Sequence, residues 1–270
     1  MATSDAPLEI GHVALTVRDL DRVRDYYRRS VGLEPIAADG ETATLGAGGK
    51  TLLELRRDTA ARIRSPREAG LFHTAFLLPA RADLARWLRD AVERRERVVG
   101  ASDHGVSEAI YLSDPEGNGI EIYADRPRAA WVTGPDGIEM GTDPLDFEDL
   151  AKAGDGAWTG APAGTVVGHV HLQVGAIPEA EAFYQGVLGM ALTHRYRGGS
   201  FFGSGGYHHH LATNTWNSRG AGPREYPSTG LAEVVLRADP AELAAVAARA
   251  GGTEPRDPWG TAITLRVKEN

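Results

Sequence analysis

The sequence predicts an α+β fold of four βαβββ modules paired into two cupped-sheet domains. Three observations carry that expectation. "GHVALTVRDLDRVRDYYRRSVGL" (11–33) returns as "GHVHLQVGAIPEAEAFYQGVLGM" (168–190), 157 residues further on. A second repeat relates "GLFHTAFLLPARADL" (70–84) to "GLAEVVLRADPAEL" (230–243), and "DPEGNGIEI" (114–122) to "DPWGTAITL" (257–265). Each repeat opens on an alternating strand and runs into a segment with helical apolar spacing, the mark of a duplicated supersecondary unit.

The elements follow in order. In "HVALTV", period two puts Val13, Leu15 and Val17 on one face, a surface for the next helix to cover. His12, Ala14 and Thr16 share the other face. The helix that follows ends at Gly32, as its copy ends at Gly189. In the second module, "FHTAFLL" groups His73 with Ala75 and Leu77, again leading into a helix. "HGVSEAIYLSDPEGNGIEIY" (104–123) reads as strand, tight turn, strand, and its returning arm groups Glu121 with Tyr123. Residues 127–164, rich in Pro, Gly, Asp and Ala, read as a connector with a short helix at "DPLDFEDLAKAG". The expected organisation is a first domain at 8–126, the connector at 127–164 and a second domain at 165–268.

Composition removes several function classes. A net charge of -8 with pI near 5.6 argues against a nucleic-acid partner, which needs a basic surface. There is no cysteine, hence no disulfide, thiolate ligand or cysteine nucleophile. "MATSDAPLEI" lacks the basic start and apolar run of a signal peptide, and no apolar stretch approaches the ~20 residues that span a bilayer. A soluble cytoplasmic protein is expected, with no membrane partner.

His12, His73 and Glu121 each stand on a strand face turned away from the helix-packing side. If those faces line one cup, two imidazoles and a carboxylate converge and leave open positions on a metal, a donor set suited to non-haem Fe(II). The same donors bind Mn(II), Zn(II) or Ni(II). A solvated histidine or a carboxylate on a wet surface is the other reading of each residue taken singly.

At these residues the chain resembles the vicinal-oxygen-chelate superfamily, which contains glyoxalases, bleomycin-resistance proteins and extradiol ring-cleaving dioxygenases. The resemblance covers all but the connector and is nearest to the two-domain catechol 2,3-dioxygenase branch. Its sharpest part is the extradiol signature: His104, "GVSEA", Ile110, Tyr111, "LS", Asp114, Pro115, Glu116, Gly117, "NGI", Glu121. Ser102, two before the histidine, departs from the usual pattern. The resemblance implies Fe(II) held by His12, His73 and Glu121, with an aromatic diol and dioxygen as substrates. It gives catalytic roles to His104, a proton carrier, and Tyr111, a hydrogen-bond donor to a substrate oxygen.

Two rivals come with the same family. Glu54, in "TLLELRRD", sits where metal-dependent glyoxalases place a further ligand, which would give a His12, Glu54, His73 and Glu121 set for Ni(II) or Zn(II) isomerase chemistry. Bleomycin-resistance-type members bind a small ligand without catalysis. In the second half His169 is kept, while Glu233 and Thr264 stand where His73 and Glu121 would be. The half therefore reads as a degenerate buttress. Alternation through "GYHHHLATNTW" places His208 with His210, which leaves a His169, His210 and Glu233 site as a lesser expectation. Open sheet edges are compatible with a homo-oligomer.

Overall fold

The computed structural model describes residues 6–135 and 137–268. The first module is β1 (Leu8–Val17), α1 (Leu20–Tyr26), β2 (Glu34–Ala38), β3 (Thr42–Ala47) and β4 (Lys50–Arg57). The second is β5 (Gly70–Leu77), α2 (Arg81–Glu93), β6 (Gly100–Asp103), β7 (Ser107–Ser113) and β8 (Gly119–Asp125). The connector holds β9 (Thr133–Gly134), β10 (Gly137–Ile138) and α3 (Phe147–Ala151). The third module is β11 (Val166–Gln173), α4 (Ile177–Gly186), β12 (Ala191–Tyr196), β13 (Gly199–Gly203) and β14 (Leu211–Asn214). The fourth keeps only β15 (Gly230–Ala238), α5 (Pro240–Ala250) and β16 (Ala262–Val267). Between α5 and β16 the chain reads "GGTEPRDPWGT", too rich in Gly and Pro to supply the missing strands.

Local chemistry sets these elements. Asp19 caps α1 by accepting from the Arg22 amide, and Leu20, Val23 and Tyr27 turn one buried stripe inward. In α2, Leu84, Trp87, Leu88 and Ala91 form the equivalent stripe. The Trp87 indole N–H donates to the Ser30 carbonyl at 2.8 Å, which ties the second module to the first. The short connector helix falls inside "DPLDFEDLAKAG" as expected, capped by Asp146. Arg89 of α2 donates to the Ala151 carbonyl at 2.7 Å and docks that helix.

Strand pairing departs from the expected division. The six-stranded sheet runs β16-β15-β1-β4-β3-β2 and the eight-stranded sheet β12-β13-β14-β11-β5-β8-β7-β6. The first module is therefore paired with the fourth and the second with the third, so neither 8–126 nor 165–268 makes a sheet of its own. Each module's opening strand completes its hydrogen bonds against the opening strand of a distant module: Val13 faces Val234, and His73 faces His171. Side chains fasten both exchanges. Arg56 of β4 reaches Glu233 of β15 at 2.7 Å, and the Tyr123 and Tyr207 hydroxyls meet at 2.8 Å. One continuous apolar core, including Val13, Leu53, Phe76, Leu172 and Leu236, joins all four modules. Each such side chain contributes ~1.5–3 kcal/mol on burial. No helix among the described residues is long and apolar enough to cross a membrane.

Candidate metal centre and active site

The inner face of the eight-stranded sheet carries the site in two rows. Across β11, β5, β8 and β7, the register aligns His169 with Ala75, Ala75 with Glu121, and Glu121 with Tyr111. One rung away, His171, His73 and Gly119 are aligned. Residues two apart on a strand share a face, so His73 lies beside Ala75, whose small side chain leaves the middle of the group open. His73 Nε2 and Glu121 Oε2 are 3.0 Å apart, His169 Nε2 and Glu121 Oε2 3.3 Å, and the two imidazole nitrogens 3.3 Å. All three residues are buried.

Local devices hold this geometry. Before β8, the Asp114 carboxylate accepts from the Glu116 and Asn118 amides, each at 2.8 Å, and Gly117 takes φ +85°, closing the turn that aims Glu121. Asp257 repeats this turn before β16, accepting from Trp259 and Thr261. Gly168, next to His169, leaves room for the Tyr123 hydroxyl, which a Cβ there would meet at 1.9 Å.

The donor set fits a divalent cation. Bonds of ~2.1 Å at right angles put neighbouring donors ~3.0 Å apart, close to the separations seen. Burial pulls the His169 imidazole down to about 4, so it is neutral at pH 7. Burial alone would raise the Glu121 carboxyl, but the His169 and His73 imidazoles beside it outweigh that and hold it well below the carboxylate range. An ionised carboxylate next to a neutral imidazole is the state that coordinates metal.

Beside this group, His104 Nε2 and the Tyr111 hydroxyl are 2.6 Å apart, and His104 Nδ1 lies 2.6 Å from the Gly141 carbonyl. Burial, reinforced by the Glu121 carboxylate, pushes the Tyr111 phenol well above its usual value, so it keeps its proton. His104, Tyr111, His73, Glu121 and His169 all line one cavity of about 970 Å³. Phe72, 5.0 Å from the His171 ring and 5.4 Å from Trp216, builds an aromatic wall on the side of His73.

The structure brings His73, Glu121, His104 and Tyr111 together as the sequence reading expects, but not His12. His12 belongs to the other sheet, 4.0 Å from Glu54, where Arg56 bridges Glu54 and Glu233. The exchange of strand partners is the reason: β5 pairs with β11 rather than β1, and His169, the repeat counterpart of His12, stands beside His73. The same exchange separates Glu54 from His73 and Glu121, so the four-ligand set is not assembled. Glu233 lies in the six-stranded sheet, so it forms no site with His169 and His210.

The triple histidine is also not a strand. It lies outside any strand, just before β14. The His209 ring lies tilted at 51° against that of His169, centroids 4.1 Å apart, and its Nδ1 is 2.8 Å from His208 Nδ1. His208 Nε2 reaches Asp125 at 3.0 Å, and His210 Nδ1 accepts from the Ser204 amide at 3.2 Å. His209 escapes a reading based on alternation because alternation does not operate in a turn. His171 also belongs to the cavity lining, with its Nε2 accepting from the Asn214 side-chain Nδ2 at 3.0 Å. Its signal was present in "HVHL", where two histidines two apart share a face.

The family model described as the Glyoxalase/Bleomycin resistance protein/Dioxygenase superfamily matches residues 9–122 and 166–267. A catechol-2,3-dioxygenase of Bacillus subtilis is 41% identical over 228 residues, covering 82% of this chain and 80% of that protein. A biphenyl-2,3-diol 1,2-dioxygenase of Rhodococcus globerulus is 27% identical over 154 residues, covering 51% of this chain and 74% of its own. In fold, the chain is similar to glyoxalase I from Zea mays, with TM-score 0.56, 18% identity, and coverage of 96% of this chain and 92% of that one.

Proposed function

The chain belongs to the glyoxalase/bleomycin resistance protein/dioxygenase superfamily, and on that premise we propose that it is an extradiol ring-cleaving dioxygenase acting on a catechol-type diol. His73, His169 and Glu121 would hold Fe(II), in place of the set containing His12 that the sequence alone favours. Bound there, the metal would supply Lewis acidity toward the diol oxygens and the redox chemistry dioxygen requires.

The chain's own residues do the rest. Phe72 and Trp216 offer flat apolar surface to an aromatic ring. The Tyr111 hydroxyl stays protonated and sits in the same row as Glu121, where it can turn its single O–H from His104 to a substrate oxygen. His104 Nε2, 2.6 Å from that hydroxyl, can take up and return a proton. The cavity lining is largely apolar, with Phe72, Leu112 and Ile120 among it. The cavity, about 970 Å³, lies at the upper end of the ~300–1,000 Å³ typical of ligand pockets. It has room for a diol with a large apolar substituent or a second ring.

The observation that supports this reading most is the row Tyr111–Glu121–Ala75–His169, which joins the extradiol signature to the two-histidine set in one cavity. Oxygen uptake by anaerobically purified, Fe(II)-loaded protein given catechol, alkylcatechols and biphenyl-2,3-diol tests it. Uptake with a yellow ring-opened product, lost in His169→Ala, is the expected result. Metal-loaded protein that consumes no oxygen with any of these diols would return the chain to the ligand-binding members of its family.

A further inference from the structure

The connector lies outside the two segments that the family model matches, 9–122 and 166–267, yet it reaches the site. β6 and β12 are the two outer strands of the eight-stranded sheet. The connector touches both. At β6, Asp103 and Asp143 exchange two backbone hydrogen bonds at 2.9 Å, and the Gly141 amide donates to the His104 carbonyl at 3.2 Å. At β12, Gly137 passes so close that a Cβ would stand 2.1 Å from the Thr193 carbonyl oxygen and 3.8 Å from the His194 amide nitrogen. The segment thus straps one edge of the cup to the other. Met140, Gly141 and Thr142 line the cavity where it crosses.

We propose that this strap positions His104 for catalysis, with the Gly141 carbonyl holding the imidazole proton on Nδ1. A carbonyl oxygen only accepts, so the 2.6 Å contact requires the proton to be on Nδ1. In the neutral ring Nε2 is then bare, and it accepts the Tyr111 O–H at 2.6 Å while lining the cavity. Without the strap the ring divides its proton between the two nitrogens, and molecules carrying it on Nε2 cannot accept from Tyr111. Gly141 is a positioning residue: it touches His104 and reaches the reacting atoms only through it. The consequence for turnover rests on the ring-cleavage reading, whereas the tautomer does not.

The test is a long-range proton–nitrogen NMR spectrum at pH 8 of the full chain, ¹⁵N-labelled at histidine and loaded with diamagnetic Zn(II). His104→Gln identifies the His104 signals by their loss. The wild type is expected to show a protonated Nδ1 and a bare Nε2. Gly141→Pro, which removes the amide bonded to His104, is expected to mix the tautomers. Asp143→Pro releases the same strap from Asp103 and serves if Gly141→Pro does not fold. Gly141→Ala is the control, since its Cβ meets only an Asp143 carboxylate oxygen, at 3.5 Å.

In the Fe(II) form, strap variants are expected to lose ~10-fold in kcat at unchanged KM, part of the ~10²–10⁴ that a general acid–base group supplies. A wild-type His104 protonated on Nε2 would overturn the proposal, as would a folded Gly141→Pro or Asp143→Pro variant with an unchanged tautomer or an undiminished kcat. A wild type with the expected tautomer but no activity on any diol would instead count against ring cleavage alone.

Discussion

Buried histidines held neutral should make the metal-free protein sensitive to mild acid. Burial pulls His169 down to about 4 and His210 to about 3, and also lowers His171 and His209 well below their ordinary value. In the unfolded chain each titrates near ~6.5. Below that pH the unfolded state binds protons that the folded state refuses, so stability falls as pH falls, by ~1.4 kcal/mol per pH unit for each such group. Between pH 6.5 and 4.5, His169 and His210 each cost about 2 kcal/mol, a large share of the ~5–15 kcal/mol that holds a typical domain together. Glu121 acts in the same direction but only below the ordinary carboxylate range, outside this window, because its folded value is depressed.

Urea unfolding of EDTA-treated protein, followed by the fluorescence of its 5 tryptophans, reads this directly. Stability should drop by at least ~3 kcal/mol per pH unit below pH 6, and His210→Leu should remove one proton's share of that slope. A midpoint that stays flat from pH 7.5 to 5 would refute the reasoning. So would a His210→Leu slope as steep as that of the wild type, since the proton would then belong elsewhere.

Other expectations follow from the same geometry. His169→Ala should abolish Fe(II) retention after gel filtration while His12→Ala retains it, read as metal per chain; equal loss in both would mean that the exchanged strand pairing is wrong. Ala75→Leu should fill the open middle of the His73–Glu121–His169 group and cost at least ~10-fold in metal affinity, with circular dichroism showing the fold kept. Full metal occupancy in that variant would contradict the placement of Ala75. Tyr111→Phe removes the donor to His104 and should lower kcat ~10²-fold with metal content unchanged; an undiminished kcat would remove Tyr111 from the chemistry.

Period-two alternation is a property of a single strand, so the residues that share a face were legible without a structure: His73 with Ala75, Glu121 with Tyr123. The turn chemistry of "DPEGN" was legible for the same reason, since Asp114 bonds amides only two and four residues ahead. The repeat went further and marked His12 and His169 as equivalent positions. Which of the two stands beside His73 was a different kind of question. Both opening strands have the same pattern and the same capacity to pair, and nothing local separates them. The choice rests on contacts between chain segments far apart, among them Arg56 with Glu233 and Tyr123 with Tyr207, and on a core shared by all four modules. Local pattern therefore specifies the modules, the faces and the kinds of candidate side chain. That His169 joins His73 and Glu121, that His209 turns toward them, and that the connector crosses the cup to reach His104 depend on long-range packing. Strand register and partner choice are set by burial and hydrogen bonding across the whole molecule, which a local pattern does not encode.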